Sequence, residues 1–138
     1  MDKKVVVTGC SGFIGFHLSN SLLEADIQVI GIDSLNSAYD VKLKEIRLDE
    51  LNKKNNFIFF NNNLSQEDSL NEIKKYDVST IYHMAARAGV RQSFLDPQSY
   101  IEDNTYATAN VSMFCKEMEI PEIIPVSYTH LRAHETSI

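Results

Sequence analysis

Two hydrophobic patterns alternate along the chain. Strand candidates occupy Lys4 to Thr8, Gln28 to Asp33, Phe57 to Phe60, Val78 to Met84 and Glu122 to Val126, several of them nearly continuous in Val, Ile or Phe. Runs without polar alternation mark strands covered on both faces, as in a parallel sheet. Between them, apolar residues recur three and four apart over Phe13 to Ala25, Asp40 to Lys53, Gln66 to Lys75 and Pro97 to Met118, which predicts helices. Ile14, Leu18 and Leu22 are the expected buried stripe of the first helix, and Val111, Cys115 and Met118 that of the last. Asp96-Pro97 supplies a cap followed by proline at the first helical position. Strands alternating with helices imply an α/β fold, a doubly wound parallel sheet with right-handed crossovers and a ligand crevice at the carboxyl ends of its strands.

Composition narrows the function. The 138 residues, 43% apolar, suit one domain with one core. A net charge of -6 provides no basic stripe for a row of phosphates, so nucleic acid is not an expected partner. The apolar run near the N-terminus is too short for a signal peptide or a membrane span, and a cytoplasmic protein without a membrane partner is expected. Cys10 and Cys115 are too few for a disulfide framework or a zinc site, and no metal site is expected. Cys10 has neither His nor Lys beside it in sequence and reads as a small turn residue rather than a nucleophile. The charge run from Lys42 to Lys54 reads as a solvated helix face.

The strongest chemical signal is Thr8-Gly9-Cys10-Ser11-Gly12-Phe13-Ile14-Gly15, placed where the first strand gives way to the first helix. Gly9 permits a sharp turn, Gly12 lets the backbone approach a pyrophosphate, and Gly15 lets the helix pack closely. The N–H groups of the turn, including Ser11, Phe13 and Ile14, would then face the phosphates with the helix dipole behind them. Asp33 lies 18 residues beyond Gly15 at the end of the second strand, where a carboxylate can accept both hydroxyls of an adenosine ribose. Ser34-Leu35-Asn36 contains no cation to receive a 2′-phosphate, so NAD is expected rather than NADP.

These residues resemble the extended short-chain dehydrogenases, an NAD-dependent epimerase/dehydratase family with a Rossmann-type fold that acts on nucleotide sugars. The resemblance runs from about Lys4 to Ile124. Thr8 to Gly15 is similar to the family's TGxxGFIG turn. Val29 to Asp40 and Ile81 to Ser93 resemble the UDP-glucuronate 4-epimerase subgroup, mainly through Ser34 to Asp40 and Ala88-Gly89-Val90-Arg91. Asp96-Pro97 with Tyr100, Asn104 and Asn110 matches that subgroup's long helix. The resemblance implies NAD as cofactor, a UDP-sugar as substrate and a homodimeric parent enzyme. It adds Asn36, Asn63, Leu64, Ala85 and Ala86 to the cofactor contacts, with Asn63 where the family has Asp beside the adenine. An amide both donates and accepts, so that contact need not be lost. Arg91 is a candidate for an anionic group of the substrate. His83, in an apolar strand, reads as a packed and hydrogen-bonded histidine rather than a catalytic one.

The resemblance also implies a reaction: oxidation to a 4-keto sugar and re-reduction on the other face, with a Tyr-x-x-x-Lys pair managing the hydroxyl proton. Tyr39, Tyr76, Tyr82, Tyr100, Tyr106 and Tyr128 are followed four residues on by Leu43, Thr80, Ala86, Asn104, Asn110 and Arg132, so no such pair is present. No catalytic residue is therefore assigned. The expectation is an NAD-binding portion over residues 1–125, incomplete after its fifth strand, and a non-native tail over 126–138. His130 and His134 in that tail have the spacing of helical metal ligands, with Glu135 next to them, but no third ligand. A 4,6-dehydratase, a UDP-glucose 4-epimerase and a non-catalytic NAD-binding module remain alternatives.

Overall fold

The computed structural model describes residues 3–35, 41–85 and 95–125. Five parallel strands, β1 (Lys4–Thr8), β2 (Gln28–Asp33), β3 (Phe57–Asn61), β4 (Val78–His83) and β5 (Glu122–Pro125), form one sheet in the order β3-β2-β1-β4-β5. The chain moves outward from β1 to β3, then crosses back to β4 on the other side of β1. This reversal puts the topological switch point between β1 and β4.

Side chains of successive strand residues point to opposite faces, and the core divides accordingly. Val5, Val7 and Val29 join Leu23 of α1 (Phe13–Glu24) and Leu48 and Leu51 of α2 (Val41–Asn52) in one cluster. Val6, Ile30, Ile32 and Ile81 face the other way, onto Val111, Phe114 and Cys115 of a helix that closes the second face. Cover on both sides explains the apolar runs of β1 and β2, the central strands, whereas β4 carries polar residues and β5, at the edge, is exposed along its length. The doubly wound expectation is met.

Three helix expectations change. The buried stripe of α1 is Gly15, Ser19 and Leu23, one position round from the expected set: Ile14 is exposed, and Leu18 and Leu22 are partly buried flanks. The glycine wins because its missing side chain brings the first turn of the helix closest to the backbone beneath it. Residues 66–75 form turns and a single 3-10 turn, Asn71–Ile73, instead of a helix. There Leu70 and Ile73 reach the core from a compact connection closed by i to i+3 bonds such as Ile73 N–H to the Leu70 carbonyl, 3.1 Å. The long helix is interrupted: α3 (Pro97–Ile101), a π segment (Glu102–Tyr106) and α4 (Ala107–Glu117) follow one another. The π turn changes the phase of the face before Ala107, Val111, Phe114 and Cys115 pack on the sheet. Among the described residues, no helix is long and apolar enough to cross a membrane.

Candidate functional site

The carboxyl ends of β1 and β4 are joined by a short relay. Thr8 and His83 are register partners across the two strands. Thr8 Oγ1 accepts the Ala85 N–H at 3.0 Å and lies 2.7 Å from His83 Nδ1, while His83 Nε2 lies 3.1 Å from Thr108 Oγ1 on α4. With the Thr8 hydroxyl donating to Nδ1, the ring carries its proton on Nε2 and donates it to Thr108. Burial brings the His83 pKa down to about 4, so the ring is neutral near pH 7. His83 is the packed, hydrogen-bonded histidine that its apolar strand implied. Thr8 opens the glycine motif, but its bond to His83 has no signal in the sequence, and Thr108 does not stand out at all, since threonine is common in helices.

The relay holds Ala85 against the glycine turn. Gly9 has φ +68°, and a Cβ placed on it would lie 2.9 Å from the Ala85 Cα. Gly15 is tighter still, since a Cβ there would lie 2.0 Å from the Gly9 carbonyl oxygen. Its close approach is therefore to the turn itself rather than to the sheet. Gly12 caps α1 in an extended conformation and makes no side-chain capping bond, so no capping side chain covers the first-turn N–H groups. Phe13 and Ile14, exposed at this helix start, flank the opening. Cys10 is fully buried beneath the turn, and burial, with the Asp33 charge adding to it, pushes its thiol well above the ordinary range. It is an inert turn residue, as expected.

Asp33 faces this turn from the end of β2. Ser11 donates to its Oδ2 twice, from the backbone N–H at 3.1 Å and from Oγ at 2.7 Å. The Leu35 N–H donates to Oδ1 at 3.0 Å, and Lys44 Nζ lies 3.1 Å from the same oxygen. Burial pushes the Asp33 carboxyl up, but the Lys44 ammonium and the Ser11, Leu35 and Lys44 hydrogen bonds outweigh it and hold the group below the usual carboxylate range. The site therefore carries a buried anion.

Lys44 corrects the reading of the charge run as a solvated face. Its position lies with Leu48 and Leu51 on the buried stripe of α2, and it is only 8% exposed. One turn on, Arg47 donates to the Ser11 carbonyl at 3.3 Å and stacks its guanidinium 5.9 Å above the Phe13 ring. A lysine occupying an apolar stripe position, four and seven residues before leucines, was the available signal.

Asn63 follows β3, whose last residue, Asn61, is the register partner of Asp33. Its Oδ1 accepts both the N–H and the hydroxyl of Ser65, at 3.0 and 2.8 Å, which leaves the amide N–H groups as its outward donors. It borders a polar cleft of about 260 Å³ shared with Asn62, Gln66 and Asp68. Leu64 turns its side chain into the core, and its carbonyl accepts Asn110 Nδ2 at 2.8 Å. The structure thus brings together Gly9, Ser11, Gly12, Gly15, Asp33 and Ala85. Asn36, Ala86, Arg91 and the tail histidines lie outside the described residues.

A glycine turn at the switch point, opening onto a helix start and watched by an acid at the end of the second strand, is the arrangement of the Rossmann class of nucleotide-binding folds. Within that class the chain belongs to the GDP-mannose 4,6 dehydratase family, which matches residues 6–129. It is 37% identical over 132 residues to a UDP-glucuronate 4-epimerase of Thermodesulfobacterium geofontis, covering 95% of this chain and 41% of that protein. Among solved structures, a UDP-glucuronic acid 4-epimerase from Bacillus cereus, in complex with UDP-glucuronic acid and NAD, superposes with a TM-score of 0.80 at 32% identity, covering 88% of this chain and 39% of the other. A UDP-N-acetylglucosamine 4-epimerase from Methanobrevibacter ruminantium gives 0.72 at 32% identity, covering 88% and 36%. The chain spans between about a quarter and two fifths of the length of the curated relatives it matches.

Proposed function

We propose that this chain is the NAD-binding portion of a nucleotide-sugar 4-epimerase whose substrate is UDP-glucuronate. The observation that carries the reading is the ionised Asp33, fixed by Ser11 to the glycine turn it would share with the dinucleotide. The residues fit the cofactor. The uncapped first turn of α1 offers N–H donors to a pyrophosphate, and a Cβ on Gly12 would intrude to 3.3 Å of the Gly9 carbonyl in the cradle. Asp33 would accept the ribose hydroxyls, the amide N–H groups of Asn63 would serve the adenine side, and Ala85 would leave room for the dinucleotide between β1 and β4. Asn36, Ala86 and, toward the sugar, Arg91 belong to the same proposal. So does a cytoplasmic, homodimeric enzyme.

Bound NAD would supply a hydride acceptor for the sugar carbon and return that hydride to the opposite face. The protein's part here is binding and orientation. The proton-transfer Tyr and Lys are proposed to lie outside these residues, and the chain by itself to be inactive. The family description favours a 4,6-dehydratase as the second reading.

The test is calorimetric titration of the full-length protein and of Asp33→Ala with NAD and NADP, followed by incubation with UDP-glucuronate and product analysis by NMR. Wild type should prefer NAD, Asp33→Ala should lose at least about tenfold in NAD affinity, about 1.4 kcal/mol, and UDP-galacturonate should appear. Unchanged NAD affinity in Asp33→Ala would overturn the cofactor assignment. A keto-deoxy product would replace the epimerase by the dehydratase.

A further inference from the structure

The Asp33 carboxylate is fully subscribed within the protein. A carboxylate offers about four acceptor positions, and four donors meet it: the Ser11 N–H and hydroxyl on Oδ2, and the Leu35 N–H and Lys44 ammonium on Oδ1. Two of these are backbone groups fixed by the turn and by the strand end. The other two are side chains, one on each oxygen. A ribose diol presents two hydroxyl donors at neighbouring carbons, one for each oxygen, so it can bind Asp33 by taking over those two positions.

We propose that Lys44 is a positioning residue of the ribose subsite, which holds the Asp33 carboxylate in place as an anion in the free protein and yields Oδ1 to a ribose hydroxyl on binding. The inference rests on the cofactor reading above. It follows from where α2 sits: a lysine takes a buried stripe position, beside Leu48 and Leu51, whose other occupants are apolar. A buried cation in such a place is costly unless it is paired, and Asp33 pairs it. Arg47, on the same face one turn later, braces the Ser11 carbonyl, so α2 steadies both the acid and the residue that shares it.

Among the described residues, the ionisable groups facing Asp33 are Lys44 on α2 and the Cys10 thiol in the turn; Ser11 and the Leu35 N–H complete its surroundings. Burial works to protonate Asp33, and Lys44 is the largest influence opposing it. Removing the ammonium while keeping the shape takes away the largest influence that opposes burial, so the Asp33 pKa rises. NAD binding, which needs the carboxylate, should then weaken at a higher pH than it does in wild type.

NAD is titrated into the full-length protein and its Lys44→Met and Lys44→Arg variants across about pH 8 to pH 6, with melting curves to establish that each is folded. Lys44→Gln replaces the Met variant if that one unfolds. Wild type and Lys44→Arg should show a flat profile. Lys44→Met should begin to lose affinity at a higher pH than wild type as pH falls. A flat Lys44→Met profile, whether the affinity is kept or lowered equally at every pH, would overturn the proposal, because a purely structural lysine gives that result. Asp33→Asn separates the two readings. If it binds NAD as wild type does, the carboxylate reading fails; if it binds weakly with no pH slope while Lys44→Met is also flat, Lys44 alone is misassigned.

Discussion

Thr8 Oγ1 and His83 Nδ1 meet at 2.7 Å across the ends of β1 and β4, at a histidine that burial keeps neutral. The ring is buried and neutral, with its pKa brought down to about 4. An unfolded histidine titrates near 6.5, so between those values the unfolded chain binds more protons than the folded one. Stability contributed by this group is present above about pH 6.5 and declines as pH falls toward about 4, by up to about 3 kcal/mol. Denaturant midpoints measured across that window should fall more steeply for wild type than for His83→Gln. Parallel curves would mean the ring is not buried neutral.

Thr8 tests the same relay from its other end. Its hydroxyl accepts the Ala85 N–H and serves His83, so Thr8→Val keeps the shape but leaves two polar partners unanswered. A loss of about 1–3 kcal/mol is expected. Thr8→Ser should recover most of it in chemical denaturation. Equal losses in the two variants would assign the effect to the methyl group instead.

The central strands β1 and β2 are readable because burial on both faces leaves mostly Val and Ile in them, and the glycine turn because three positions there exclude side chains or require a particular φ. Asp33 was placed by its distance from that turn. Other features depend on partners far away in the chain. Lys44 shares its stripe with Leu48 and Leu51, but its partner emerges only when the fold sets it 3.1 Å from Asp33. The α1 stripe was misphased by one position because a hydrophobicity count overlooks Gly15 and Ser19, the buried members of its inner face. The connection at 66–75 has helical spacing in Leu70 and Ile73, yet its local i to i+3 bonds suffice to bring both to the core.

Gly15 and Gly12 should separate in their response to alanine. A Cβ at Gly15 would fall 2.0 Å from the Gly9 carbonyl oxygen, a backbone atom that can move only with the turn, whereas at Gly12 the gap is 3.3 Å. Gly15→Ala should therefore destabilise by at least about 1–3 kcal/mol, the ordinary scale of overpacking. Gly12→Ala should cost less stability while still weakening NAD binding, because it intrudes on the cradle. Denaturation and NAD titration of both variants check this; equal stability losses would contradict the geometry.

Cys10 gives an independent measure of how firmly the turn is seated. Its Sγ lies below β2 in the space left by Gly31, where a Cβ would come within 2.7 Å of the sulfur. The thiol is fully buried and its pKa is pushed well up, first by burial and then by the Asp33 charge. Cys115, also buried, is raised by burial. The thiolate is the reacting species, so at about pH 8 a small disulfide reagent should modify either residue only as fast as the protein opens. Denaturant should expose both thiols at once, and in the Cys115→Ser variant NAD should slow the modification of Cys10 further by stabilising the closed turn. Rapid labelling of Cys10 in the native Cys115→Ser protein would show that the turn opens far more readily than its packing against Ala85 and Gly15 allows. A turn that loose could not hold Ser11 on Asp33, and the ribose subsite would have to form only when the cofactor arrives.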